Sequence, residues 1–242
     1  MKVLVIGDPH GKLPTGLDNL VKKNKIELII CLGDVPYTPE KPWEKERWTD
    51  KVMRKSIKSY GFLVNKLCSH KIPVFTLRGN MFWGKEGKYN YNKITKKIFK
   101  KHKNLYYKKT GRLKYKGNNF VFFDMIFEPS SSRTKRKYSK KRLESGRKRG
   151  IRLNKILKQT KDAILISHIP PKGYLDKTGG KHIPKEWKGR HAGSPLLLKA
   201  IKKHKPKYVL CGHIHEGKGK VKIGKTQVIN AGCCGDYVVI GV

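Results

Sequence analysis

The chain has 242 residues and carries 57 Lys and Arg against 17 Asp and Glu, a formal charge of +40. Its 37% hydrophobic content is too high for a disordered basic tail. No apolar run reaches the roughly 18–20 residues that a membrane span needs, so no membrane partner is expected. So few acids cannot pair most of the cations, and such a surface attracts polyanions, with nucleic acid or a nucleotide as the expected partner. A Lys-rich genome or a saline habitat would give the same balance. Met1–Gly7 reads as a strand rather than a signal peptide, which points to the cytoplasm. The five cysteines (Cys31, Cys68, Cys211, Cys233 and Cys234) are odd in number and lack a C-x-x-C spacing. They read as reduced, mostly packed thiols.

In chain order, Lys2–Gly7 is a buried strand, Leu17–Lys25 a short helix and Glu27–Leu32 a second buried strand, an opening that predicts parallel pairing. After a Pro- and Trp-containing loop, Thr49 or Asp50 caps a helix running to about His70, with Val52, Ile57, Phe62, Leu63 and Leu67 at helical spacing. Val74–Leu77 is the third strand. Leu105–Tyr107, Arg112–Tyr115 and Phe120–Ile126 read as short antiparallel strands, with turns at Thr110-Gly111 and Gly117–Asn119. Ser130–Lys158 is a basic insert or helix whose second half puts Ile151, Leu153, Ile156 and Leu157 on one face. A strand at Ala163–Ile166 follows, then a helix opened by Ser194 as N-cap and Pro195 in its first turn. Four strands close the chain, at Tyr208–Cys211, Lys220–Ile223, Gln227–Asn230 and Tyr237–Val242. One domain over 1–242 is expected.

Polar residues follow five of these strands: Asp8-Pro9-His10, Gly33-Asp34, Gly79-Asn80, Ser167-His168 and Gly212-His213-Ile214-His215. The C-terminal ends of parallel strands share one edge, where ligands bind. Two carboxylates, one amide and four imidazoles form a mixed oxygen and nitrogen set that suits Mn, Fe or Zn rather than Mg or Ca alone. Seven donors are too many for one tetrahedral ion and suit two ions sharing a carboxylate. The glycines before Asp34, Asn80 and His213 allow sharp turns.

In this order and at these positions the motifs resemble those of the calcineurin-like metallophosphoesterases, especially the small cyclic-nucleotide-phosphodiesterase-like members. Ser167–Pro171, Ala192–Leu196, Lys207–Glu216 and Val228–Gly232 add to the likeness. The resemblance implies an α/β, four-layer α-β-β-α sandwich of two mixed sheets flanked by helices. It implies two divalent ions (Mn, Fe, Zn or Ni, with Mn serving in vitro). One would be held by Asp8, His10 and His215 and the other by Asn80, His168 and His213, with Asp34 bridging. It further implies phosphoester hydrolysis by a metal-bridging hydroxide. Met81-Phe82 departs from the family pattern, in which a His then an acid follow the Asn; that His serves as phosphate contact and general acid. His191 and His182 are candidate replacements. Arg78 is either a phosphate contact or a packed strand-edge residue. The departure leaves open a second reading, a binding scaffold with little turnover. His70, His102 and His204 read as solvated.

Overall fold

The computed structural model describes residues 1–81, 84–124, 140–180 and 183–242. Its regular elements in chain order are β1 (Lys2–Ile6), α1 (Leu17–Lys23), β2 (Leu28–Cys31), α2 (Asp50–Cys68), β3 (Val74–Thr76), β4 (Lys85–Glu86), β5 (Tyr89–Asn90), α3 (Tyr91–Phe99), β6 (Leu105–Tyr107), β7 (Thr110–Tyr115), β8 (Asn118–Phe123), α4 (Lys140–Lys158), β9 (Ile164–Ser167), α5 (Pro195–His204), β10 (Tyr208–Cys211), β11 (Gly219–Ile223), β12 (Thr226–Asn230) and β13 (Tyr237–Gly241). Two mixed β-sheets flanked by helices make an α/β fold. The chain divides into two compact units, Met1–Tyr107 with Cys233–Val242, and Lys108–Gly232. No helix among the described residues is long and apolar enough to cross a membrane.

The first unit holds the sheet β13-β1-β2-β3-β6, in which only β13 runs antiparallel. The apolar runs of β1 and β2 are explained by burial on both strand faces. Leu4, Ile6, Ile29, Cys31 and Val74 pack with Tyr60, Leu63, Val64 and Leu67 of α2. Thr49 caps α2, its hydroxyl accepting from Val52 N–H at 3.3 Å. The helical spacing holds for Leu63 and Leu67, whereas Phe62 lies one position off the stripe and is 68% exposed. Leu105–Tyr107 is not antiparallel as expected: β6 joins this sheet parallel to β3. The helix α3 lies in a Lys-rich stretch whose periodicity was too short to read, and Asn90 caps it through Lys93 N–H.

The second unit holds the sheet β11-β12-β10-β9-β8-β7, parallel at its centre and antiparallel at each edge. Thr110 and Gly111, expected in a turn, begin β7. Expected strand residues 125–126 and basic residues 130–139 lie outside the described residues. Leu153 and Leu157 of α4 pack with Leu197 and Ile201 of α5 against the sheet. Ile151, placed on the same face by spacing, is 57% exposed instead, because two residues from Leu153 is about 200° around a helix. Ser194 caps α5 by accepting from Leu197 N–H at 3.0 Å, with Pro195 opening the helix as expected.

Candidate metal centre

Three loops of the first unit carry its donors, and backbone hydrogen bonds tie them in series. His10 N–H donates to the Asp34 carbonyl at 2.9 Å, and Asp34 N–H donates to the Arg78 carbonyl at 3.1 Å. The motifs D-x-H, G-D and R-G-N therefore leave adjacent strands as one hydrogen-bonded edge. Asp8 and Asp34 are buried, a position that favours a nearby cation or several donors, since an isolated buried carboxylate is costly. The Asp34 Oδ1 accepts from Met81 N–H at 2.8 Å. Gly33 and Gly79 have φ of 111° and 80°, as the sharp turns required. A Cβ on Gly79 would collide with the Asp34 carboxylate and come within 2.5 Å of Asp34 N. Asn80 donates its amide N–H to Met81 Sδ at 3.6 Å.

The ring of His10 is oriented by a residue that motif spacing does not reveal. Thr38 Oγ1 lies 3.0 Å from His10 Nδ1, which leaves Nε2 as the ligand atom. The loop bearing Thr38 is fastened to α2: Tyr37 N–H donates to Ser59 Oγ at 2.8 Å, and Ser56 Oγ donates to the Tyr37 carbonyl at 2.6 Å. Arg78 is buried, and its Nη1 donates to Asn92 of α3 at 2.9 Å. It lines a cavity of about 320 Å³ with Lys96, Lys100 and Tyr107.

The second unit carries three imidazoles. His168 is buried after β9, and its ring centroid lies 5.0 Å from that of His213. His213 sits in a three-residue turn closed by Ile214 N–H donating to the Gly212 carbonyl at 2.7 Å. Its φ is 65°, the strained sense of such a turn. Gly212, expected to supply the sharp bend, keeps a negative φ, and the histidine itself takes the left-handed conformation. Asn230, buried at the end of β12, clamps this turn. Its Nδ2 lies 2.8 Å from the Ile214 carbonyl, 3.4 Å from the Gly212 carbonyl and 3.3 Å from the Leu175 carbonyl. His215 opens a 3-10 turn, His215–Gly217.

His191 belongs to a built pair. Its Nδ1 lies 2.6 Å from Asp176 Oδ1. Asp176 is 1% exposed, and its Oδ2 accepts from Gly173 N–H and Gly193 N–H at 3.0 and 2.8 Å. The ring edge of His191 reaches solvent, its side chain being 40% exposed. Its loop is stitched to the segment after His168, since Ser194 N–H donates to the Pro170 carbonyl at 2.8 Å. His182 lies outside the described residues. His70, His102 and His204, read as solvated, are each half-buried and partnered by Asp18, Asn65 and Asn154 respectively. Cys31, Cys68 and Cys211 are buried free thiols, as expected; Cys233 is half-buried and Cys234 exposed.

The described residues that group as metal-ligand candidates are Asp8, His10 and Asp34 in the first unit and His168, His213 and His215 in the second. Their donors are the mixed oxygen and nitrogen set that fits a borderline divalent cation.

Comparisons with known proteins agree. A human metallophosphoesterase domain-containing protein 1 is 39% identical over 72 residues, 29% of this chain and 20% of that protein. A UPF0046 protein of Caenorhabditis elegans is 39% identical over 71 residues, again 29% of this chain and 21% of the relative. The match therefore spans about a fifth of the length of these curated relatives. Among solved structures, TT1561 of Thermus thermophilus aligns with a TM-score of 0.59 at 15% identity, covering 97% of this chain and 90% of that one. The phosphopantetheinyl hydrolase PptH of Mycobacterium tuberculosis aligns with a TM-score of 0.54 at 13% identity, covering 96% and 90%. These structures share the fold. The family model for calcineurin-like phosphoesterases matches residues 1–217, and the chain belongs to that family.

Proposed function

We propose that this protein is a phosphoesterase with a dinuclear metal centre, acting on phosphodiesters, with a nucleotide or nucleic acid as the favoured substrate. The family is metal-dependent. The observation that carries the reading is the hydrogen-bonded edge that gathers the donors. His10 N–H donates to the Asp34 carbonyl and Asp34 N–H to the Arg78 carbonyl, with the carboxylates of Asp8 and Asp34 buried, a setting that favours a cation.

In this reading Asp8, His10 and His215 would hold one ion, Asn80, His168 and His213 would hold the other, and Asp34 would serve both. Manganese is the ion to load in vitro. The two ions, when bound, lower the pKa of a shared water and offset charge on the phosphoryl oxygens. The chain's own residues do the rest. Thr38 engages Nδ1 of His10, so that Nε2 would be the atom to meet an ion. Met81 Sδ accepts from the Asn80 amide nitrogen, so the carbonyl oxygen is the end that meets a cation. Asp176 accepts a hydrogen bond from Nδ1–H of His191 and leaves Nε2 to exchange a proton with the leaving oxygen, in place of the histidine that Met81 displaces.

The test is hydrolysis of a bis-aryl phosphodiester by Mn-loaded protein. Asp34→Asn should lose more than the roughly 10–100-fold that changes to outer partners cost; equal activity in the variant sinks the two-ion reading. Met81 favours one alternative, a family scaffold that binds without turnover. Two bound ions by elemental analysis, with no hydrolysis across Mn, Fe, Zn and Ni, would decide for the scaffold.

A further inference from the structure

Within the second unit a groove of about 1000 Å³ runs between β7 and α4. None of the candidate metal ligands lines it. Among the described residues thirteen line it; seven of these are Lys or Arg, and one, Glu144, is an acid. Lys108, Lys109 and Arg112 come from one wall, and Lys148, Arg152 and Lys155 from α4. Glu144 does not offset the rest. Lys148 and Arg147 lie 3.3 and 3.5 Å from its carboxylate, and Lys148 foremost holds its pKa below the usual range.

The walls are fixed to each other. Arg112 Nη1 donates to the Gln159 carbonyl, and Arg149 Nη1 to the Asp124 carbonyl, each at 3.3 Å. Positions 148, 152 and 155 form one stripe of α4. Lys148 and Lys155 are about 10 Å apart along the axis, at about 1.5 Å per residue. A row of cations on that scale outreaches a single phosphate and suits a chain of them.

We infer that this groove is a docking site for the sugar–phosphate backbone of a nucleic acid, separate from the metal centre. Among the described residues, the lining offers no aromatic side chain on which a base could stack. Its one large apolar residue among the described residues is Ile156, too little for the buried anchors of a protein interface. Such a groove reads phosphates and not bases. The inference rests on the reading of nucleic acid as the partner and does not require hydrolysis.

Binding is therefore measured with chelator present, so that a failure of catalysis leaves the result intact. The probes are a labelled DNA duplex, its single strand and an RNA of the same sequence, with inorganic polyphosphate and polyglutamate as competitors. Arg152→Glu with Lys155→Glu is compared with Lys22→Glu with Lys23→Glu in α1, which changes the net charge equally. The groove pair should weaken nucleic-acid binding about tenfold or more at roughly 100 mM salt. It should also flatten the duplex salt dependence by about 1.8 in log–log slope, about 0.9 for each lost contact. The control pair should stay within about twofold. Arg152→Gln with Lys155→Gln should show the same order with a smaller loss, and far-ultraviolet circular dichroism checks that each variant is folded. Polyphosphate should compete and polyglutamate should not. Equal losses from both pairs would mean that total charge alone binds, and would overturn the site. Effective competition by polyglutamate would overturn the phosphate preference.

Discussion

Three of the candidate metal ligands, His10, Asp34 and His213, sit in backbone conformations that a side chain resists. Two of the three, Asp34 and His213, are packed or braced by a second residue. Gly79 gives Asp34 its room, since any Cβ at that position would overlap the carboxylate, and Asn230 braces the turn of His213. The pair of His191 and Asp176 follows the same logic, because a buried carboxylate with two backbone donors cannot swing away from the ring. His191→Ala should lower kcat on diesters with poor, alkoxide-like leaving groups by roughly 10²-fold, the low end of proton-transfer contributions. On nitrophenolate leaving groups, which need no proton, it should have little effect. Asp176→Asn should show the same leaving-group pattern with a smaller loss. A uniform loss over both substrate types would make the pair structural rather than part of proton transfer. The candidate donors stand out in the sequence because each follows an apolar run. Asp176, Thr38 and Asn230 were not, since their partners lie 15, 28 and 16 residues away through folds of loop that no period describes.

Elements were legible where burial is two-sided. β1, β2, β9 and β10 read correctly because every or nearly every position is apolar and buried. β6 was misassigned because three residues, L-Y-Y, carry no signal of strand direction. Its parallel pairing with β3 comes from the packing of α3 between them in sequence. Helix faces were read too widely at Phe62 and Ile151, where one apolar residue in the right stretch points to solvent. Caps were the most transferable signal. Ser194 is 1% exposed and accepts the Leu197 N–H at the head of α5. Its loss leaves a buried donor without its partner, so Ser194→Ala should destabilise by about 1 kcal/mol and lower Tm by about 2–4 °C for a chain of this size. Ser194→Thr should recover most of it, and an unchanged melt for the alanine variant would contradict the capping role. The same helix shares its hydrophobic contacts with α4, so the cap also bears on how firmly the basic groove is walled.

At the scale of the molecule, a charge of +40 over 242 residues both recruits anions and strains the fold that carries it. Self-repulsion disfavours the compact state, and salt weakens it as the Debye length shrinks from about 30 Å at 0.01 M to about 8 Å at 0.15 M. Tm should therefore rise with NaCl over that range. Acid should work the other way. Burial lowers the pKa of His70 and of His204, so the unfolded chain binds more protons and stability falls once the pH drops below about 6.5. Asp18, Glu44, Asp50 and Glu144 are held low by hydrogen bonds, foremost from Lys66, Arg47, Tyr89 and Lys148. Their contribution is present above the ordinary carboxylate range and is lost as the pH falls through it. Both effects have one sign, and each proton taken up also adds to the repulsion. The groove pair Arg152→Glu with Lys155→Glu lowers the net charge by four, from +40 to +36. At low salt it should raise Tm while it weakens nucleic-acid binding, and at 0.15 M the gain in Tm should shrink. Opposite signs for stability and affinity would mark these cations as retained for a ligand rather than for the fold. A fall in Tm together with affinity would instead assign them to the packing of α4 on β7.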